Sequence, residues 1–170
     1  MCKKFIIRYI IKTMNEYDIA KILIEHGLKI STAESCTGGL VGGAITSVPG
    51  SSEIFLGGAI SYSNEVKERL LGVKEDTLVA HGAVSEETAR EMVTGARDLF
   101  RTSTAIAVTG IAGPGGATPT KPVGLVYIAV ADGPRVVVCR NNFKGDREQV
   151  RSQTVATACD LLRELIEGKL

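Results

Sequence analysis

The sequence has few of the residues that build metal sites or disulfide frameworks. It contains four cysteines and two histidines among 170 residues, and no two cysteines form a CxxC pair. A zinc site or a disulfide framework is therefore not expected, and reduced thiols in a cytoplasmic protein are the favoured interpretation. We accordingly expect the protein to work without a metal or another cofactor.

The chain also lacks a strong excess of charge and a long apolar run. Its 20 basic and 19 acidic residues give a formal net charge of +1, so there is no electrostatic reason to expect a nucleic-acid or membrane partner. The apolar stretch at residues 5–11 is interrupted by Arg8 and is far shorter than the roughly 20 residues that span a bilayer. It has no small-residue cleavage site, so a signal peptide is not favoured.

The length fits one compact domain, and we find neither an internal repeat nor a low-complexity linker. Residues 1–14 are interpreted as an N-terminal extension without a catalytic role, and residues 15–170 as the domain. A short extra strand, or an apolar arm that packs on a partner subunit, is the alternative for the extension, which leaves a homo-oligomer as one option.

Periodicity and turn residues predict a three-layer α/β/α domain with a mixed sheet. Helices alternate with strands, and the turn Asp132-Gly133-Pro134 then joins two strands into a hairpin. This order is typical of a partly parallel sheet that is covered by helices. The predicted helices are 15–26, 40–46, 65–71, 75–80, 86–100 and 147–167, and the predicted strands are 28–32, 58–61, 104–108, 123–131 and 135–143.

Side chains that cap helices mark three of the predicted starts. Asn64 is the predicted N-cap of the third helix, Ser85 that of the fifth, and Asp146 forms a capping box with Gln149 at the last. The apolar face predicted for the fifth helix is Ala89, Met92, Val93, Ala96 and Leu99.

Ser35 lies between a predicted strand and a Gly-Gly helix start, in the segment TAESCTGG at residues 32–39. A nucleophile at this place is exposed at the edge of the sheet, and the backbone N–H groups that follow can face a developing oxyanion. A GxSxG elbow is absent, and the segment alone favours a simple capping role for Ser35. The candidate oxyanion donors are the N–H groups of Cys36, Thr37, Gly38 and Gly39.

Cys36 is a rival nucleophile, because a thiolate at a helix N-terminus is acidified. A cysteine hydrolase usually has a histidine base. His26 and His81 each precede a glycine at a predicted helix end, where a capping role is favoured. The rival therefore lacks a convincing base.

Lys67 is the candidate base for Ser35, in the segment GGAISYSNEVK at residues 57–67. The helix dipole disfavours an ammonium in a first helical turn, and partial burial lowers a lysine pKa further. An ordinary surface lysine with its head in water is the alternative. Tyr62 is either a proton relay or a core aromatic, and spacing alone favours the core.

A third segment, TGIAGPGGATPTKPVG at residues 109–124, has the glycines of an anion-binding nest. It matches neither the dinucleotide GxGxxG pattern nor the phosphate loop of nucleotide triphosphatases, and plain turn geometry is the alternative. Arg147 at the start of the last helix is suited to a bidentate phosphate contact. The candidate anion ligands are Gly113, Gly115, Gly116, Lys121 and Arg147.

Taken together and in this order, the motifs resemble the C-terminal domain family of CinA proteins. They are TAESCTGG, PGSSEIFLGGAISYSNEVK, HGAVSEETA and TGIAGPGG with KPVG, and the resemblance runs from about residue 15 to the C-terminus. It implies a compact α/β domain and, as in the enzymatic members, hydrolysis of the carboxamide of nicotinamide mononucleotide. The family's serine, lysine and tyrosine fall on Ser35, Lys67 and Tyr62.

The resemblance therefore implies a serine amidohydrolase with a small nucleotide substrate, which would serve pyridine nucleotide recycling. The alternative from another class is a non-catalytic nucleotide-binding or protein-interaction module linked to competence or DNA damage. A third alternative is an amidase for a related nucleotide or small amide. Release of ammonia from nicotinamide mononucleotide separates these hypotheses.

Overall fold

A computed structural model describes residues 16–170, so the N-terminal extension at residues 1–14 lies outside the described residues. The described part contains five strands, six α-helices and one short 3-10 turn. The helices are α1 (Glu16–Glu25), α2 (Leu40–Thr46), α3 (Asn64–Leu71), α4 (Glu75–His81), α5 (Glu86–Phe100) and α6 (Arg147–Ile166). The strands are β1 (Ile30–Glu34), β2 (Phe55–Ile60), β3 (Thr104–Gly110), β4 (Leu125–Asp132) and β5 (Arg135–Asn142).

The five strands form one mixed sheet in the order β2-β1-β3-β4-β5. Strands β2, β1 and β3 are parallel, and β4 and β5 add an antiparallel hairpin. The central strand β3 is buried along nearly its whole length, as its uninterrupted apolar sequence predicts. The prediction of a mixed sheet that ends in a hairpin is therefore confirmed.

Two apolar clusters, one on each face of the sheet, complete the three layers. Helices α1, α2 and α6 cover one face, and their side chains join the cluster around Ile106 and Ile128. Helices α3, α4 and α5 belong to the other cluster, where Met92 packs against Ala105 and Ala107. Helix α2 lies close to the sheet because Gly42 has no side chain, and a Cβ there would be 3.3 Å from the ring of Phe55.

The topology brings the three glycine-rich segments to one edge of the sheet. Parallel strands β1, β2 and β3 have their carboxyl ends on the same side, and each of the three segments contains or follows one of these ends. Strand β5 pairs its last residue, Asn142, with Leu125 at that same edge, so α6 also starts there. Ligand sites of α/β sheets lie at such edges.

Three local predictions need correction. The N-cap of α3 is Ser63, whose extended backbone lets its hydroxyl accept from the N–H of Val66, so Asn64 is the first helical residue. Leu99 was assigned to the buried face of α5, but it is 47% exposed near the helix end. Strand β2 begins at Phe55, three residues before the predicted start, because Phe55 pairs with Ile30 of β1 ahead of a register shift at Leu56.

Candidate active site

The predicted nucleophile and base lie next to each other. Ser35 follows β1 directly, and its N–H donates to the carbonyl of Val108 on β3 at 3.0 Å, so the sheet fixes its backbone. Lys67 projects from the first turn of α3, and its Nζ lies 3.3 Å from Ser35 Oγ. Both side chains are buried, and Lys67 is only 1% exposed. This separation is at the outer limit of the hydrogen-bond reach that proton transfer between a hydroxyl and an amine requires.

The surroundings of Lys67 favour an uncharged amine. Burial lowers the pKa of the Lys67 ammonium, and a weaker Coulombic effect of Cys36 opposes that shift. No carboxylate of the described residues forms an ion pair with Lys67. Instead, Nζ donates to the carbonyls of Ser61 at 2.6 Å and Tyr62 at 3.5 Å. Nζ therefore lies within hydrogen-bond distance of three oxygens. When the amine is uncharged, its two N–H bonds can meet the two carbonyls while its lone pair accepts the hydroxyl of Ser35.

Cys36 is adjacent to the pair but is in the wrong protonation state for attack. Burial raises the pKa of the Cys36 thiol to about 11, although the positive charges of Arg151 and Arg147 act in the opposite direction. A thiol with that pKa is almost fully protonated near neutral pH, and the thiolate is the nucleophilic form. The geometry therefore favours Ser35 over Cys36.

The turn after Ser35 is held by the carboxylate of Glu34. This side chain is 1% exposed, and its oxygens accept the N–H groups of Gly39 at 3.0 Å, Val41 at 3.0 Å and Gly42 at 2.8 Å. The positive backbone φ angles of Gly38 and Gly39, +61° and +102°, let the chain fold back over that carboxylate. Glu34 thus occupies the N–H groups at the start of α2 that would otherwise bind an anion.

These contacts reduce the set of free oxyanion donors. The N–H of Gly39 is bound to Glu34, and the N–H of Gly38 donates to the carbonyl of Ser35 at 3.1 Å. Within the part of the chain that the structure describes, the N–H groups of Cys36 and Thr37 donate to no other residue's carbonyl or carboxylate. Of the four predicted donors, Cys36 and Thr37 are the two still available for a ligand oxygen.

Arg147 forms hydrogen bonds with residues of two of the predicted segments. Its Nη1 donates to the carbonyl of Gly113 at 2.8 Å, and its Nη2 donates to the hydroxyl of Tyr62 at 3.1 Å. Tyr62 is 62% exposed, so the core interpretation of this residue is wrong. The exposed phenol is bound by Arg147, while the backbone carbonyl of Tyr62 contacts Lys67.

The remaining candidates lie on the exposed part of the glycine loop. Gly115 and Gly116 are exposed, and a Cβ added at Gly115 would meet nothing within 4 Å. Lys121 Nζ donates to the backbone carbonyl of His81 at 2.6 Å, at the carboxyl end of α4. No contact of these three residues with Ser35 or Lys67 is present, and their role in binding remains a prediction.

Sequence reasoning missed three residues at this edge. Glu34 holds the turn, Thr109 is buried at the end of β3 and donates to the carbonyl of Ala83 at 2.6 Å, and Arg151 Nη2 donates to the carbonyl of Thr37 at 2.7 Å. A signal was available for Arg151, since it lies one helical turn after Arg147 on the same face of α6. Glu34 and Thr109 gave no signal, because single polar residues at strand ends are common.

Residues 16–170 lack two further features. No group of three or more histidine, cysteine, aspartate or glutamate side chains in this range could hold a metal ion. Within the same range, no helix has the length and apolar character that crossing a membrane requires.

Solved structures share this fold and much of this sequence. A CinA superfamily protein from Klebsiella pneumoniae superposes with a TM-score of 0.87 at 35% identity, covering 90% of this chain and 96% of that protein. A competence/damage inducible protein, CihA, from Agrobacterium tumefaciens gives a TM-score of 0.84 at 42% identity, covering 89% of this chain and 95% of the other.

A curated relative, the CinA-like protein of Citrifermentans bemidjiense, is 51% identical over 148 residues. The alignment covers 87% of this chain but 36% of the relative, so the chain spans about a third of that protein's length. The family model described as the CinA C-terminal domain matches residues 12–166. The chain therefore belongs to the CinA C-terminal domain family.

Proposed function

We propose that the chain hydrolyses the carboxamide of nicotinamide mononucleotide to nicotinate mononucleotide and ammonia. The observation that carries the proposal is the 3.3 Å separation of Ser35 Oγ and a buried lysine amine whose pKa is lowered by that burial. A serine hydroxyl needs a base to become a nucleophile, and an uncharged lysine is such a base. The identity of the substrate is inferred from the resemblance of the motifs to those of the nicotinamide mononucleotide deamidases.

The first half of the reaction forms an ester on Ser35. Lys67 takes the hydroxyl proton as Oγ attacks the carboxamide carbon, and the carbonyl oxygen becomes an oxyanion. The free N–H groups of Cys36 and Thr37 are the donors assigned to that oxyanion, each contributing about 3 kcal/mol by analogy with similar sites. The Lys67 ammonium then returns its proton to the departing nitrogen. The C–N bond breaks, and ammonia leaves.

The second half releases the acid. Lys67, again uncharged, takes a proton from water, and the resulting hydroxide attacks the ester carbon. The tetrahedral intermediate collapses, the C–O bond to Ser35 breaks, and Lys67 returns the proton to Oγ. We assign Tyr62 a contact with the substrate, because its exposed side chain has its hydroxyl bound by Arg147 and its backbone carbonyl contacts Lys67.

Ammonia release from nicotinamide mononucleotide by the purified chain tests the proposal. We expect Ser35→Ala and Lys67→Met to lower kcat roughly 10³-fold or more, because each removes one member of a pair that acts as a unit. Lys21→Met is the matched control, since that side chain is 72% exposed on α1 and should leave kcat unchanged. No ammonia from the unaltered chain, or activity retained in Ser35→Ala, would refute the proposal.

A further inference from the structure

Helix α6 presents two uncompensated positive charges beside the candidate nucleophile. Arg147 and Arg151 lie one turn apart within its first two turns. Both are close enough to Cys36 for their charges to oppose the rise in its thiol pKa. Neither guanidinium forms an ion pair with a carboxylate of residues 16–170, and the carboxylate of nearby Glu34 is occupied by three N–H groups. Like charges at this spacing destabilise a helix, and the acidic residues at this helix start, Asp146 and Glu148, form no ion pair with either arginine.

The two arginines differ in how many hydrogen bonds their guanidinium groups form within the protein. Both terminal nitrogens of Arg147 already donate, to the carbonyl of Gly113 and to the hydroxyl of Tyr62. Arg151 makes one hydrogen bond, from Nη2 to the carbonyl of Thr37. Its guanidinium also lies over Gly38, where a Cβ would be 3.7 Å from Nη2. Gly38 is exposed, and the space that a side chain would take there, beside Nη2, is left open.

Two buried polar atoms at this contact have no partner. Among the described residues, Arg151 Nε and Thr37 Oγ1 are buried and make no hydrogen bond. They belong to the two residues that share the Nη2-to-carbonyl bond. A buried donor without an acceptor is costly, and such atoms at a candidate site indicate a ligand. An oxygen-rich anion supplies acceptors for both the guanidinium and the hydroxyl.

We propose that Arg151, rather than Arg147, binds the phosphate monoester of the substrate and thereby selects phosphorylated over unphosphorylated amides. A guanidinium matches a phosphate bidentately through Nε and a terminal nitrogen. Because Nε is buried, we expect the guanidinium to shift when the phosphate binds. Arg147 instead positions Tyr62 and the glycine loop. The kinetic test of this inference rests on the proposed amide hydrolysis. A second test, of binding alone, does not depend on that reaction.

The kinetic test compares nicotinamide mononucleotide with nicotinamide riboside, which lacks the phosphate. We expect Arg151→Gln to reduce the ratio of the two kcat/KM values about tenfold or more, mainly by raising KM for the phosphorylated substrate. Arg151→Lys keeps the charge and should retain part of the ratio. Arg147→Gln should lower kcat for both substrates and leave the ratio unchanged. Arg69→Gln, which alters a 70% exposed side chain on α3, is the control.

The binding test uses the Ser35→Ala protein and titration calorimetry with ribose 5-phosphate and with ribose. We expect heat of binding from ribose 5-phosphate alone, and we expect Arg151→Gln in that background to abolish it while melting as a folded protein. If the unaltered chain releases no ammonia but this binding is observed, the proposed reaction fails and the phosphate site stands. An unchanged selectivity ratio in Arg151→Gln, no binding of ribose 5-phosphate, or binding that survives Arg151→Gln overturns the inference.

Discussion

Burial acts on two adjacent side chains at the residue scale, with opposite chemical consequences. Lys67 and Cys36 both lie in the interior beside Ser35, and in each case removal from water disfavours the charged form. For the lysine the uncharged form is the active base. For the cysteine the uncharged form is the inactive thiol. One physical cause therefore selects serine and lysine as the reacting pair.

The first prediction concerns Cys36. We expect Cys36→Ala to retain most of the activity toward nicotinamide mononucleotide, since a thiol with a pKa of about 11 supplies no nucleophile near neutral pH. The loss of a buried sulfur should cost about 1 kcal/mol of unfolding free energy. Steady-state kinetics and denaturant titration measure the two effects. A loss of activity as large as that of Ser35→Ala would assign the attack to the thiol instead.

The second prediction concerns the pH dependence of activity. Lys67 must be uncharged to accept the proton of Ser35, so kcat/KM should rise with pH as the ammonium is lost. Because burial lowers the pKa of Lys67, the midpoint should lie below the ordinary lysine value of about 10.4. The pH profile of kcat/KM gives this midpoint. A midpoint at the ordinary lysine value would contradict the assignment of a desolvated base.

At the scale of elements, parallel pairing explains why residues far apart in sequence meet. Ser35 follows β1, Ser61 and Tyr62 follow β2, and the loop with Gly113 follows β3, all at one edge of the sheet. Helix α3 starts at the same edge, and its cap at Ser63 places Lys67 one turn later. The site is therefore a consequence of strand order.

The third prediction concerns the helix that follows the nucleophile. Glu34→Gln replaces one of two acceptor oxygens with an amide donor facing the N–H groups at the start of α2. We expect a loss of about 1–3 kcal/mol of unfolding free energy, because buried donors lose their acceptor. We also expect kcat to fall more than KM rises, because the same turn carries Ser35.

A matched control separates this effect from a simple loss of helix-terminal charge. Glu75 is exposed in the first turn of α4, so Glu75→Gln removes the same charge from a helix start without breaking a buried contact. We expect its stability and kinetics to match those of the unaltered chain. Equal effects of the two substitutions, measured by denaturant titration and steady-state kinetics, would refute a specific role for Glu34.

At the scale of the whole molecule, local sequence signals predicted most of the fold. The Asp146 and Gln149 capping box, the hairpin turn at residues 133–134 and the apolar face of α5 apart from Leu99 all depend on neighbours in sequence, and they are confirmed. The predictions that failed depend on tertiary context. Asn64 and Ser63 are both good caps, and only the backbone direction at the end of β2 decides between them.

The residues of the site divide in the same way, into those that local sequence predicts and those that depend on tertiary packing. Its glycine-rich segments were visible in the sequence, and so were Ser35 and Lys67. The contacts made by Glu34 and Arg151 were not, because they join positions whose proximity exists only after α2 and α6 pack on the sheet. Likewise, sequence patterns cannot show which N–H groups of the Ser35 turn are already bound.

The last prediction joins the site to global stability. Because the pKa of Lys67 is lowered in the folded state, the unfolded chain binds more protons between that lowered pKa and the ordinary lysine value. Stability should therefore rise with pH across this window, and it should be lower below the window, where a buried ammonium opposes folding. Lys67→Met removes the titrating group and keeps the side-chain length, so it should abolish this rise and stabilise the folded chain at neutral pH while abolishing turnover.

Denaturant titration at a series of pH values measures this effect, with Lys21→Met as the control that should keep the rise. A gain in stability with a loss of activity is the pattern expected of a residue retained for chemistry at the expense of the fold. If Lys67→Met instead lowers stability at neutral pH and leaves the pH dependence unaltered, the lysine is a structural group that is well accommodated in its charged form. The assignment of Lys67 as the base would then be wrong.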